Sequence, residues 1–162
     1  MMNTFALAAL LVLTFQKEAQ ISIEMDSGSP GEVVSLPLYF IPPRSEKIGR
    51  IIIEVKYPSG ELIFVKFDPG SSDTDTKTHS GDSNGTVSFE MTAAKSIGEG
   101  LLGYLVFRVS KDAQPGNVPV SILRAVSYND ADSEVPMQAS GSAVEVVPKG
   151  FTPYIGCFFF TH

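Results

Sequence analysis

Carboxylates and histidines in turn-like settings are the groups in this chain whose types and spacing could do chemistry. Asp26-Ser27-Gly28, which follows an apolar stretch, has the form of an aspartic-protease nucleophile turn. That chemistry needs a second carboxylate sharing one proton. The triplet has no second copy and runs straight into Pro30-Gly31, so it reads as a turn. Asp73-Thr74-Asp75-Thr76 puts two aspartates around one residue, as phosphotransfer sites do. Those sites close a buried parallel strand of an α/β fold, and the surrounding residues here are those of a polar loop. With Asp82-Ser83-Asn84-Gly85 close behind, the same loop could gather oxygen ligands for calcium. Lys77 stands where a ligand would be needed, no glutamate closes a twelve-residue loop, and Asn84-Gly85 suits a hairpin. His79 and His162 are the only histidines and support neither a zinc cage nor a Ser-His-Asp triad. No catalytic set, metal site or cofactor motif is assembled, and the expectation is a protein that is not an enzyme.

Bulk properties narrow the partners. The net charge is −6, charged residues make up 19% of the chain, and no Lys/Arg cluster interleaves with aromatics. A nucleic-acid partner is excluded on electrostatic grounds. Cys157 is the one cysteine, so no intrachain disulfide forms. Phe5 to Phe15 is an unbroken apolar block of eleven residues. It falls short of the ~20 residues a membrane-spanning helix needs, so the chain is not expected to cross a membrane. Its length suits the apolar region of a secretory signal. The leader, MMNT, lacks Lys or Arg, and Lys17 sits where a small residue is preferred ahead of Ala19. The expectation is a signal peptide over residues 1–19 and a protein that is secreted or held in the cell envelope.

The elements that must position any site are strands. Ile21–Met25, Glu32–Ile41, Ile48–Tyr57, Leu62–Phe67, Gly85–Thr92, Ile97–Val109, Val118–Ser127 and Ser142–Val147 are apolar or alternate with period two. Gly28-Ser29-Pro30-Gly31, Pro42-Pro43, Pro58-Ser59-Gly60 and Asp68-Pro69-Gly70 break them. Pro115-Gly116 is expected to make a tight reversal. Ser71–Asn84 is nearly free of apolar residues and reads as a solvated loop with room for a short edge strand. No stretch has a helical period. Eight or nine short strands with regular turns predict an all-β jelly-roll sandwich over residues 20–148. An apolar tail follows over 149–162, where Phe158-Phe159-Phe160 suits either a final edge segment packed on the sandwich or a sticky contact.

Over residues of about 20 to 147 the chain resembles a cohesin module. Ser29-Pro30-Gly31-Glu32-Val33 leading to Ser35-Leu36-Pro37-Leu38 is similar to the family's second strand. Ile48-Gly49 to Tyr57-Pro58, then Leu62-Ile63-Phe64-Val65 and Asp68-Pro69-Gly70, look like its third and fourth strands. Gly98-Glu99-Gly100-Leu101-Leu102 through Phe107-Arg108-Val109, then Ala113 to Gly116, resembles its eighth strand and the following turn. Many relatives carry an aspartate between the tyrosine and proline of Lys56-Tyr57-Pro58, and this chain does not. The resemblance implies a non-catalytic sandwich that docks a dockerin, a small calcium-binding module on another polypeptide, and so assembles extracellular, often polysaccharide-degrading, complexes.

In relatives, docking uses one face of the sheet carrying strands three, five, six and eight. Parity then assigns to that outer face Arg50, Ile52 and Glu54, Ser88 and Glu90, and Tyr104, Val106 and Arg108. Ile52, Tyr104 and Val106 would form an apolar centre with a charged rim. The plainer reading makes Ile52 and Val106 ordinary β-branched strand residues, or residues covered by a loop or the tail. Because the fold is close to that of certain carbohydrate-binding modules, polysaccharide is the alternative partner. The chain has no tryptophan, so Tyr104, Tyr128 and Tyr154 would have to hold the sugar.

Overall fold

In β3 (Val33–Ile41) every second residue is buried, and Val34, Leu36, Leu38 and Phe40 lose nearly all contact with solvent. The same period-two burial builds the rest of the computed structural model, which describes residues 18–70, 74–79 and 85–150. The remaining strands are β1 (Ala19–Ile23), β2 (Asp26–Gly28), β4 (Ile48–Lys56), β5 (Leu62–Pro69), β6 (Thr74–His79) and β7 (Thr86–Ala93). They continue with β8 (Gly100–Val109), β9 (Gly116–Asn129), β10 (Glu134–Val135), β11 (Met137–Ser140) and β12 (Ser142–Val146). One sheet has the order β11-β1-β3-β8-β5. The other runs β2-β12-β9-β4-β7-β6, with β10 added alongside β9.

The twelve strands among the described residues exceed the expected eight or nine for local reasons. The first strand divides because the chain changes sheets after Ile23, so β1 and β2 lie in different layers. Beyond β9 three short strands form where one was expected, and the polar loop does hold an edge strand, β6. From β3 to β5 and from β7 to β9, successive strands alternate between the layers, as in a jelly roll. The expected reversal at Pro115-Gly116 lies elsewhere. The hydrogen-bonded turn is at Ser110–Ala113, where the Ala113 N–H donates to the Ser110 carbonyl at 3.2 Å. The segment then carries the chain from one sheet to the other, so a two-residue hairpin would be too short.

Asp26, the first candidate for chemistry, is a brace. Its carboxylate accepts from the Ser27 N–H at 2.8 Å and the Ser35 N–H at 2.7 Å, tying β2 to β3. Gly28 ends β2 against Val34, whose side chain occupies the space a Cβ would need. Gly85 turns the chain into β7 with φ of 73°, and its carbonyl accepts from the Tyr57 N–H at 2.8 Å. A Cβ there would collide with the Tyr57 carbonyl oxygen, so both conformation and approach demand glycine.

The core lies between the sheets. Ile51, Ile53 and Val55 of β4 and Val87, Phe89 and Met91 of β7 face Leu36, Leu38, Leu105 and Phe107 of the opposite layer, all fully buried. Aromatic rings bind the layers at one end. Phe107 meets Tyr57 edge-on at 5.1 Å and Phe64 at 5.6 Å, while Phe67 lies 5.1 Å from Phe89. Truncating the ring at this junction, Phe107→Ala, is expected to lower unfolding free energy by about 3–5 kcal/mol, read from urea unfolding curves.

Candidate functional site

A sheet that hides one face must show the other. On the β9-β4-β7-β6 sheet the shown face is fixed by register. Ile52 of β4 pairs with Glu90 of β7 on one side and Val126 of β9 on the other, and Lys77 of β6 pairs with Glu90. The next row reads Asp75, Thr92, Arg50 and Tyr128. On the opposite side of Ile52, Ser88, Glu54 and Arg124 stand in line. Directly opposed side chains in an antiparallel pair have Cβ atoms about 5 Å apart, so these rows are contiguous.

The register of β9 against β4 shifts between Glu54 and Val55. On one side of the shift Ile122 opposes inward-facing Val55, and on the other Arg124 opposes outward-facing Glu54. Leu123 is the extra residue of this bulge, and its side chain is 58% exposed. The bulge therefore turns two neighbours, Leu123 and Arg124, to solvent. Ile52 and Val126, both half-buried, give the face an apolar centre with Leu123 beside it. Lys77, Glu90, Glu54 and Arg124 form its charged rim.

Arg50 extends this rim and is held by three neighbours. Its guanidinium stacks over the Tyr128 ring at 4.2 Å. Nη2 donates to Asp132 Oδ1 at 2.6 Å, and Nη1 lies 3.6 Å from Glu90 Oε1. Asp132 reaches this position from a turn built on Asn129. Asn129 Oδ1 accepts from the Ala131 and Ser133 N–H groups, and Asn129 Nδ2 donates to Glu46 at 2.8 Å. Asp132 itself takes φ of 58°, the left-handed conformation that aspartate tolerates better than most residues. Behind the face, the buried Ser127 hydroxyl donates to the Val135 carbonyl at 2.9 Å and holds β10 against β9.

The structure brings Arg50, Ile52, Glu54, Ser88 and Glu90 together and separates Tyr104, Val106 and Arg108 from them. Those three lie on β8, in the other sheet, facing the opposite side of the molecule. The expected centre of Ile52, Tyr104 and Val106 does not form. In chain order, with β1 and β2 counted as one strand, the segment 100–109 is the seventh and 116–129 the eighth. Val106 is also buried, at 6% exposure, between Ser35 and Lys66. Leu123, Arg124, Val126 and Tyr128 supply the missing side of the face, with Asp75 and Lys77 at the far edge. One signal marked them: apolar parity in Val118, Val120 and Ile122 slips to Ala125 after two adjacent large apolar residues.

Asp73, Asp82, Asn84, Tyr154, Cys157 and His162 lie outside the described residues, as do the leader through Lys17 and the apolar tail from Phe151. Among the described residues no three His, Cys, Asp or Glu side chains gather as a metal site. No helix there is long and apolar enough to cross a membrane.

The comparisons with known proteins agree with this architecture. A family model described as "Cohesin domain" matches residues 19–146. No curated protein matches the chain in sequence. Among solved structures it is similar to the sixth cohesin of Acetivibrio cellulolyticus scaffoldin B, solved in complex with a mutant Cel5 dockerin. The TM-score is 0.70 at 19% identity, covering 80% of this chain and 99% of that one. A type I cohesin–dockerin complex from Clostridium thermocellum gives 0.68 at 16% identity, with 80% and 99% covered. A non-cellulosomal cohesin from the hyperthermophilic archaeon Archaeoglobus fulgidus gives 0.68 at 15%, with 82% and 94% covered. With two jelly-roll sheets in common with these structures and a family match running from its first described strand to its last, the chain belongs to the cohesin family.

Proposed function

We propose that this protein is a non-catalytic, exported module that docks a dockerin on another polypeptide through the outer face of the β9-β4-β7-β6 sheet. One observation carries the assignment to that face. The third, fifth, sixth and eighth strands of the chain form one contiguous surface, with Ile52, Val126 and Leu123 ringed by charge. A rigid sheet with an apolar centre and a polar rim has the anatomy of a binding patch, and little change in the sandwich on docking is expected. A signal peptide over 1–19, a binding domain over 20–148 and a place in a secreted or envelope complex complete the proposal. Work on polysaccharide follows from the kind of assembly that the sequence resemblance implies.

A second reading, polysaccharide binding, has its own support on the other sheet. A shallow groove of about 160 Å³ over β11, β1 and β3 collects Gln20, Ser22, Tyr39, Gln138 and Ser140. Amides, hydroxyls and a 40%-exposed ring suit a neutral sugar. Of the tyrosines expected to serve, Tyr104 shares this sheet, whereas Tyr128 lies under Arg50 on the opposite face.

The two readings separate in one set of measurements. With the full chain immobilised, calcium-loaded dockerin modules from the producing organism should bind and be released by chelation. Leu123→Asp should weaken binding by about 30-fold or more, the scale of an interface hot spot, with an unchanged melting temperature. Arg108→Ala, on the opposite sheet, should bind as the parent does. Retardation in glucan gels with no dockerin captured would move the assignment to sugar. Val106→Asp should lower the melting temperature, because it replaces a buried aliphatic side chain with a carboxylate that must be desolvated.

A further inference from the structure

On the sheet opposite the docking face, two rows of neutral polar side chains line the groove over β11, β1 and β3. Ala19, Ile21 and Ile23 are buried, so Gln20 and Ser22 point outward from β1. Gln20 pairs with Gln138 of β11 on one side and Ile41 of β3 on the other. Ser22 pairs in the same way with Ser140 and Tyr39. The groove thus has an amide row, Gln138-Gln20-Ile41, and a hydroxyl row, Ser140-Ser22-Tyr39. Tyr39 and Ile41, which end the rows on β3, are 40% and 41% exposed.

None of the residues lining the groove is charged. The docking face differs, since Lys77, Glu90, Glu54 and Arg124 ring its centre. A charged partner finds no counter-charge in the groove, which selects for a neutral ligand. Gln138 Nε2 donates to Glu18 Oε2 at 2.6 Å, which fixes the amide and leaves its carbonyl oxygen to accept. The Gln20 amide and the Ser22, Ser140 and Tyr39 hydroxyls have no side-chain partner among the described residues. Each of them can donate and accept, and a sugar hydroxyl does both as well.

The spacing suits a sugar chain. Neighbours within a row stand about 5 Å apart, and the rows are separated by two residues along each strand, about 7 Å. A pyranose ring between the rows meets amides on one edge and hydroxyls on the other. Its C–H face can pack on the Tyr39 ring. A shallow groove accepts an extended, ribbon-like chain, whereas a coiled one needs concave walls. Past Tyr39 the track continues over Pro37 to its cross-strand partner Tyr104, whose ring is also exposed.

We propose that this groove is a second binding site, for an extended neutral β-glucan chain, and that it works while the opposite face is docked. It rests on the groove of the sugar reading above, but makes sugar binding an addition to docking and not a replacement for it. The two faces belong to different sheets with the packed core between them, so filling one leaves the side chains of the other in place. The module thereby ties a dockerin-bearing protein to a polysaccharide.

Native electrophoresis of the full chain through gels containing hydroxyethyl cellulose, a neutral soluble β-glucan, tests the site. The affinity should be the same with and without a saturating captured dockerin, and the same again for Leu123→Asp. Tyr39→Ala and Gln20→Ala should each weaken it about fivefold or more, the scale of one lost ring contact or hydrogen bond, with unchanged melting temperatures. In a parallel NMR titration, cellohexaose should shift the amide signals of Gln20, Ser22, Tyr39 and Gln138 and leave those of Ile52, Leu123 and Val126 in place. No retardation of the parent chain, undiminished binding in both variants, or shifts confined to the docking face would overturn the site. A glucan affinity that falls when dockerin is added would overturn its independence. Glucan binding in a chain that captures no dockerin would sink the docking reading and leave this site standing.

Discussion

Everything on this molecule's surface depends on what β4 hides. Ile51, Ile53 and Val55 are fully buried, and that alone puts Arg50, Ile52 and Glu54 on the outward face. A slip of one residue would exchange the two sets, placing Arg50 and Glu54 in an apolar core. The burial of three aliphatic side chains thus sets the register of the docking face, and β7 and β9, paired on either side, inherit it. Rigid presentation follows from the same fact, since β4 cannot shift without opening the layer beneath it.

Upon this frame the face gains detail from irregularities. The bulge in β9 brings Leu123 out of the alternation and gives the surface a protruding apolar side chain where a regular strand would give a flat one. The turn after β9 sends Asp132 back to meet Arg50, so that a charge on β4 is oriented by a residue more than eighty positions later. Arg50 is accordingly already engaged by a ring and two carboxylates. An acidic group on a partner must compete with them, which makes this corner better suited to selecting a partner than to attracting one.

Parity was legible in the sequence and layer was not. The alternation over Gly85–Thr92 that put Ser88 and Glu90 outward leaves Val87, Phe89 and Met91 fully buried. The alternation in Tyr104, Val106 and Arg108 was also real, but alternation says only that one side is hidden. It cannot say in which of two sheets a strand lies, and the strands around β8 change layers at every connection. Bulges were the second blind spot, because one extra residue breaks the alternation; Leu102, two residues from exposed Tyr104, is buried where the register of β8 against β3 shifts. β6 was legible only as polar sequence, since an edge strand needs little apolar content to pair on one side.

The divided first strand has a mechanical consequence. β1 runs parallel to β11 in one sheet, and β2 runs parallel to β12 in the other. The chain therefore enters and leaves along neighbouring strands that point the same way, once in each layer. Tension applied between the two ends pulls these strands past each other along their length, so their hydrogen bonds are loaded together and not opened one at a time. A module joined at both ends within a larger assembly would resist stretching along the line in which it is tethered.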